Sequence, residues 1–240
     1  MHQNNVNGNA AMFHNDYLQG QQSIHSNPNI ELTYRCPLQC PQCFRVLLQL
    51  PDDDPKKIEF KEKVNTSYDM PIEDLQKVVE FTDGLISFCG QFSDPVYHAN
   101  FFDVLDLCAK YPSKKFMIHT SAHQKNIEWY KQAYSKTSKN VTWKFGLDGL
   151  IDTSPMYRIN QNSKLIWDAM LLGKDLGVNV HWQYIVFKFN EHQIEEARSL
   201  AKKYNIYFNL IYTDRVTPKT KEIQASDQYR SKSNTKEFHD

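Results

Sequence analysis

Six short runs rich in β-branched and aromatic residues alternate along the chain with stretches whose apolar positions recur every three to four residues. The runs are residues 29–34 (NIELTY), 85–89 (LISFC), 115–120 (KFMIHT), 141–147 (VTWKFGL), 179–187 (NVHWQYIVF) and 206–212 (IYFNLIY), each bounded by turn or charged residues. Between them the periodic stretches predict five helices. Pro71 opens the first, with Ile72, Leu75, Val78 and Val79 on one face. Phe101, Val104, Leu105 and Cys108 form the stripe of the second, and Ile127, Tyr130 and Tyr134 that of the third. The fourth spans residues 163–176, with Leu165, Ala169 and Leu172 inward and Gly177 as its stop. The fifth begins at Asn190 as cap with Gln193 three residues on, and turns Ile194, Ala197, Leu200 and Ala201 inward. Strand-then-helix repetition with right-handed crossovers makes an α/β fold with a parallel sheet. Six such units fit a doubly wound sheet or an incomplete barrel equally well. Either way the functional residues belong at the carboxyl ends of the strands.

Three segments break the rhythm. Residues 1–28 hold one charged residue, Asp16, among many Asn and Gln, and are expected to be a flexible leader. Residues 213–240 are similarly polar and are expected to form a disordered tail. Residues 44–70 insert about two dozen residues, including Asp52-Asp53-Asp54 and the amphipathic IEFKEKV, ahead of the helix that Pro71 opens. The core domain is therefore expected over residues 29–212.

Composition narrows the class. A hydrophobic fraction of 40% with 13% aromatics supports a real core, and 28 basic against 28 acidic residues argue against charge-driven wrapping of nucleic acid. Residues 1–120 carry 10 Lys/Arg and 15 Asp/Glu, the rest 18 and 13, a mild asymmetry that reads as solvated helix faces. There is neither a membrane-length apolar run nor a basic-then-apolar signal pattern, so a cytoplasmic protein without membrane partners is expected.

The chemistry lies in the cysteines. Five is a poor disulfide count, and three of them crowd into RCPLQCPQCF directly after the first strand, as Cys36, Cys40 and Cys43 in C-x3-C-x2-C spacing. Thiolates favour zinc or iron–sulfur clusters. A structural zinc site closes with four ligands, which here requires a histidine such as His98 or His119. Three thiolates on a four-iron cluster instead leave one iron open, and an open position is the mark of a catalytic metal site. Cys108 reads as core, and Cys89 as a buried strand-end residue more readily than as a ligand.

The segment ELTYRCPLQCPQC resembles the cluster loop of the radical S-adenosylmethionine (SAM) superfamily, most nearly its peptide- and cofactor-modifying branch. The resemblance implies a partial (β/α)6 barrel of the TIM type, a 4Fe–4S cluster on Cys36, Cys40 and Cys43, and SAM chelated to the open iron. It also implies reductive cleavage of SAM to a 5′-deoxyadenosyl radical that takes a hydrogen atom from substrate. FCGQFSDPVYH resembles the turn that receives the SAM amino group, which nominates Gly90, Gln91, Ser93 and Asp94, the last because a carboxylate complements an ammonium. HTSA places Thr120 and Ser121 along the SAM site, and KFGLDGL resembles a Ser-Leu-Asp-Gly motif with Gly146 for the serine, leaving Asp148 as the polar group. Arg158 in MYRINQ matches an arginine on the SAM carboxylate, whose fork geometry suits it. Ile185 and Val186 would cover the adenine. Gln42 precedes the third cysteine where relatives have an aromatic, and Phe44 follows it, so both are candidates beside the adenine.

No cysteine follows Cys108, which leaves no ligands for an auxiliary C-terminal cluster. The expected partners are an external electron donor of flavodoxin or ferredoxin type and a peptide or small-molecule substrate, gated by residues 44–70 and the tail. The competing reading is a non-catalytic iron–sulfur or zinc-binding protein: a sensor, a carrier or a degenerate relative. His119 is either a proton donor within the barrel or a satisfied core histidine.

Overall fold

The computed structural model describes residues 27–63, 67–89, 93–121, 124–213 and 221–229, with Phe44, Gln49 and Lys63 described by backbone alone. Five of the six expected strands form: β1 (Leu85–Phe88), β2 (Lys115–Thr120), β3 (Val141–Gly146), β4 (Asn179–Ile185) and β5 (Tyr207–Ile211). All neighbours are parallel, and their spatial order is their sequence order. That order decides between the two architectures. A doubly wound sheet reverses direction midway and carries helices on both faces, whereas unbroken order with crossovers of one hand puts every helix on one face. The sheet is therefore of the barrel type.

The first expected strand is not a strand in full. Residues 29–34 run extended beside β1 and touch it at one parallel bridge, Asn29 to Ser87, where Ile30 N donates to Ser87 O over 2.8 Å. At Thr33 the same segment bridges Asp69 in antiparallel sense, so its ladder is divided between β1 and residues 68–70. Sequence pattern reports the β character of such a segment but not which partner takes its hydrogen bonds.

The helices α2 (Ile72–Phe81), α3 (Phe101–Lys110), α4 (Ile127–Lys136), α5 (Ser163–Asp175) and α6 (Ile194–Lys203) follow the expected order, and the insert contributes α1 (Pro55–Lys63) and a 3-10 turn at Phe44–Gln49. Two inward faces differ from expectation. Ile127 is 36% exposed while Tyr130, Ala133 and Tyr134 are buried, because Ile127 stands at the first position of α4, before the stripe meets the sheet. In α5 the buried residues are Ser163, Ile166, Ala169, Met170 and Gly173, with Leu165 and Leu172 at the flank. Gly173 lets α5 approach, since a Cβ there would lie 2.8 Å from Val180 Cγ2. Gly177, at φ +74°, stops the helix as expected.

The helix-facing side of the sheet is the core. Trp143 stands edge-on to Phe101 and Tyr134, and Trp182 edge-on to Trp167, with ring centroids 5.3–5.8 Å apart. The alternate positions (Ser87, Met117, His119, Thr142, Lys144, His181, Gln183, Tyr207 and Asn209) line the side away from the helices. Most of them are polar. No described helix is long and apolar enough to cross a membrane. Residues 221–229 form two 3-10 turns, and Ile223 O accepts from Lys188 N over 3.0 Å beyond the end of β4.

Candidate functional site

The cysteine loop lies over the carboxyl ends of the strands, where two neighbouring segments hold it. Arg35, one residue before Cys36, donates from Nη2 to both oxygens of Asp69 and from Nε to Tyr97 O over 3.1 Å. Gln39 N donates to Ile159 O, and Asn160, in the left-handed conformation at φ +73°, presents its amide to Pro37 O. Cys43 N donates back to Cys40 O over 3.0 Å, closing the C-x2-C half as a turn. An apolar shell encloses the thiols: Leu38, Cys40, Tyr157 and Phe187 are buried together, and Cys36, Cys43, Ile185, Phe189 and Ile223 pack against them. Burial pushes the Cys40 thiol up to about 11, against the pull of the Arg158 guanidinium, and burial raises Cys36 further.

Among the described residues no three side chains converge as ligands of a single ion would. Three thiols of one loop packed against an apolar shell, Cys40 buried and Cys36 and Cys43 half-buried, would suit a thiolate-held iron–sulfur cluster, whose chemistry is set by burial and neighbouring dipoles. His98, weighed above as a fourth zinc ligand, is already used. Its Nε2 donates to Met70 O over 2.8 Å, and its Nδ1 accepts from Asn100 N over 3.1 Å.

Asp94 joins three elements. It caps the 3-10 turn Pro95–Tyr97 by accepting from Val96 N, and it accepts from Thr120 Oγ1 (2.8 Å) and Ser121 N (2.7 Å) at the end of β2. Its own N donates to Arg35 O, tying the turn to the cysteine loop. Asp94 is 4% exposed, and burial pushes its carboxyl up from 3.8 to about 6 despite those donors. Ser93 donates to Glu31 in the first extended segment. Gly90 and Gln91 lie outside the described residues.

The second centre is Asp148, fully buried just beyond β3. Its Oδ2 accepts from Arg158 Nε over 2.7 Å and its Oδ1 from Ile185 N over 2.8 Å. Burial pushes the Asp148 carboxyl up against the pull of Arg158; Arg158 stays protonated because the carboxylate beside it outweighs its own desolvation. Gly146 makes room for this arrangement. A Cβ there would strike Ser121 Oγ and stand 2.8 Å from Arg158 Nη2, so the residue that replaces the familiar serine leaves the guanidinium and the Ser121 hydroxyl to fill that space.

Residues that sequence reasoning did not single out complete the frame. Asn190, expected as a helix cap, is buried and spends its amide elsewhere: Nδ2 donates to Asp148 O and Ile185 O, and Oδ1 accepts from Phe187 N over 2.7 Å. Gln161 donates to Gly146 O and Ser121 O while accepting from Ser154 Oγ, whose oxygen in turn accepts from Asp148 N. The Tyr157 ring packs tilted against Phe187, centroids 4.3 Å apart, and lies beneath the Arg158 guanidinium at 5.7 Å. An Asn three residues before a Gln reads equally as a capping box, so nothing local signals its long-range use. Gln42 meets the Tyr157 hydroxyl at 3.5 Å. The Phe44 side chain is not among those described. Val186 belongs to the main apolar core, and its neighbour Ile185 is the one packed against the cysteine loop, because successive strand side chains point to opposite faces.

No known family profile and no curated protein matches the sequence. Solved structures do match the fold. SuiB of Streptococcus suis aligns with TM-score 0.63 and 17% identity over 94% of this chain and 49% of its own. SuiB bound to S-adenosylmethionine gives 0.63 and 16%, over 91% and 48%. Native anSMEcpe with bound AdoMet gives 0.53 and 16%, over 75% and 48%. The chain thus spans about half the length of these radical SAM enzymes. Five parallel strands in sequence order, helices on one face and a cysteine loop over the carboxyl rim give this chain the partial-barrel fold of the radical SAM enzymes.

Proposed function

We propose that this protein is a radical SAM enzyme with one 4Fe–4S cluster on Cys36, Cys40 and Cys43. The observation that carries this reading is the place of the C-x3-C-x2-C loop: it lies in an apolar shell at the rim of the barrel, with the buried Asp148–Arg158 pair beside Cys40. The cluster, when bound, supplies the electron that cleaves SAM to methionine and a 5′-deoxyadenosyl radical.

The residues around it divide the work. Arg158 carries one guanidinium edge free of Asp148 and offers it to the SAM carboxylate, while Asp94 holds the turn that receives the ammonium. Thr120 and Ser121 line the space between them, Asp148 fixes both Arg158 and the amide of Ile185, and Ile185 covers the adenine from the cysteine side. The apolar shell buries Cys40 and packs against the half-buried Cys36 and Cys43, which limits the water that reaches them. An electron donor of flavodoxin or ferredoxin type would supply the reductant. A peptide substrate is supported by the neighbours: SuiB bound to precursor peptide SuiA matches with TM-score 0.60 and native anSMEcpe with AdoMet and Cp18Cys peptide with 0.52.

The test is anaerobic reconstitution with iron and sulfide, reduction with dithionite and addition of SAM. Formation of 5′-deoxyadenosine is expected, and combined Cys36→Ala, Cys40→Ala and Cys43→Ala substitution should abolish both bound iron and cleavage. A fully loaded cluster that cleaves no SAM would overturn the proposal.

A further inference from the structure

The upper layer of the concave face holds two side chains that the fold does not use. In the strand register Gly146 of β3 stands beside Gln183 of β4, and Gln183 beside Asn209 of β5. Ser121 lies one step past the Thr120–Phe145 pair and completes the layer on the β2 side. The space over Gly146 is filled by Ser121 Oγ and the Arg158 guanidinium. Above Gln183 and Asn209 comes the pair Ile185 and Ile211, and Ile185 packs against the cysteine loop. Gln183 stands two residues before Ile185, so the layer lies about 7 Å down the strand from that contact. Below it the rings of His181 and Tyr207 stand side by side, centroids 4.5 Å apart.

Gln183 and Asn209 are both carboxamides. Asn209 is 2% exposed, and its buried Oδ1 has no hydrogen-bond partner. Gln183 is half-buried and accepts from Leu147 N through its main-chain O, while among the described residues its side-chain amide makes no hydrogen bond. The other buried carboxamides behave differently. Gln161 bonds Gly146 O, Ser121 O and Ser154 Oγ, and Gln193 accepts from Leu150 N and Thr153 Oγ1. Asn190 bonds Phe187 N, Asp148 O and Ile185 O. Each of those three holds the backbone together, whereas Asn209 holds nothing. Burying a carboxamide without partners is destabilising, and a bound group with matching donor and acceptor relieves it.

We infer that Gln183 and Asn209 bind a primary carboxamide group of the substrate. A carboxamide presents one acceptor oxygen beside an N–H2 donor, and its natural complement is a second carboxamide lying edge to edge, N–H to oxygen in both directions. A carboxylate has no donor for Asn209 Oδ1, an ammonium has no acceptor for Asn209 Nδ2, and a hydroxyl engages one end at a time. A trans peptide bond carries its N–H and C=O on opposite sides, so it too meets only one end. Gln183 supplies the remaining donor or acceptor from the neighbouring strand. The inference rests on the concave face being the substrate site of a SAM-cleaving enzyme, and it narrows that substrate to one with a primary amide.

The full-length chain with 15N-labelled asparagine and glutamine provides the readout. Acetyl-Gln-methylamide is expected to shift the side-chain N–H2 signals of Gln183 and Asn209 saturably. Its analogue with a dimethylated side-chain amide, which keeps the carbonyl and lacks the N–H, should leave them in place, as should acetyl-Glu-methylamide. Asn209→Leu should weaken binding of acetyl-Gln-methylamide at least about tenfold, and Gln183→Leu at least about threefold. Propionamide identifies the source. If it binds as well as acetyl-Gln-methylamide the site takes a small free amide, and if it binds far more weakly the site takes an Asn or Gln side chain of a peptide. Equal response to the three peptide probes, response to none of them, or undiminished binding by Asn209→Leu would overturn the inference. So would an equal loss of SAM binding in that variant, which would assign the pair to SAM. Should Asn209→Leu fail to fold, the difference among the probes on the wild-type chain decides. SAM cleavage is measured separately: its absence strikes the proposed function, whereas absent amide discrimination with intact cleavage strikes only the carboxamide assignment.

Discussion

Replacing Asp148 by Asn tests whether the buried pair is the keystone of the site. The substitution keeps volume and leaves one oxygen to accept from Ile185 N, but it turns an amide N–H2 toward Arg158 Nε, donor against donor, where the carboxylate stood at 2.7 Å. The Asp148 side chain is 0% exposed and that of Arg158 14%, so the guanidinium would be left charged with little water to replace its partner. Breaking a pair of this kind by removing one member costs about 3–5 kcal/mol. For a chain of this length each kcal/mol is worth about 2–4 °C, so Tm should fall by about 6–20 °C. Thermal and urea unfolding of the full chain measure it. The apolar pair Asp148→Leu with Arg158→Met separates stability from function: stability should return to within about 1 kcal/mol of wild type, since a packed apolar pair often equals a buried ion pair, while SAM affinity should stay lost. An Asp148→Asn protein less than about 1 kcal/mol below wild type would refute the reasoning. So would an apolar pair that retains SAM binding.

Gly146→Ala should cost about 1–3 kcal/mol by overpacking, because Arg158 is pinned by Asp148 and cannot retreat; partial recovery on adding Ser121→Gly, read by urea unfolding, would identify the clash. Asp94 titrates at about 6 when folded and 3.8 when not, so between pH 4 and 6 the folded state holds the extra proton and stability falls as pH rises, by about 3 kcal/mol in all. Asp94→Asn should flatten that part of the stability–pH curve, and an unchanged slope would show that Asp94 is not its source. His119 and His181 move the opposite way: the unfolded rings take protons near 6.5 and the folded ones only near 3 and 4, so this contribution is present above 6.5 and is lost as pH drops. Histidine NMR should accordingly show neither ring titrating between pH 5.5 and 8. Asn190→Ala strands Phe187 N and two carbonyls in the interior and should cost about 2–4 kcal/mol in urea unfolding, with weaker SAM binding because Asp148 and Ile185 lose their tie.

What could be read along the chain was whatever depends on neighbours in sequence. Alternation over 115–120 and 141–146 specifies a strand whatever it pairs with, and the stripe Val104, Leu105 and Cys108 specifies a buried helix face; both appear where expected. The cysteine loop is a local motif in the same sense, since its spacing within ten residues carries the chemistry. What could not be read depends on segments far apart in sequence. Residues 29–34 have strand character, but their hydrogen bonds are divided between Ser87 and residues 68–70, and no periodicity reports partners. Asn190 looks like a cap because capping is the local use of an asparagine; its use on Asp148, forty-two positions away, exists only once β3 and β4 lie side by side. The same holds for the row of His119, Lys144 and His181. Each sits alone on its own strand as an unremarkable polar residue, and only parallel register brings the three together. Local periodicity and spacing set the elements and the cluster loop because those energies are nearest-neighbour. The choice of barrel over doubly wound sheet and the Asp148–Arg158 centre were decided by tertiary structure, because strand order, burial and register are properties of the assembled sheet.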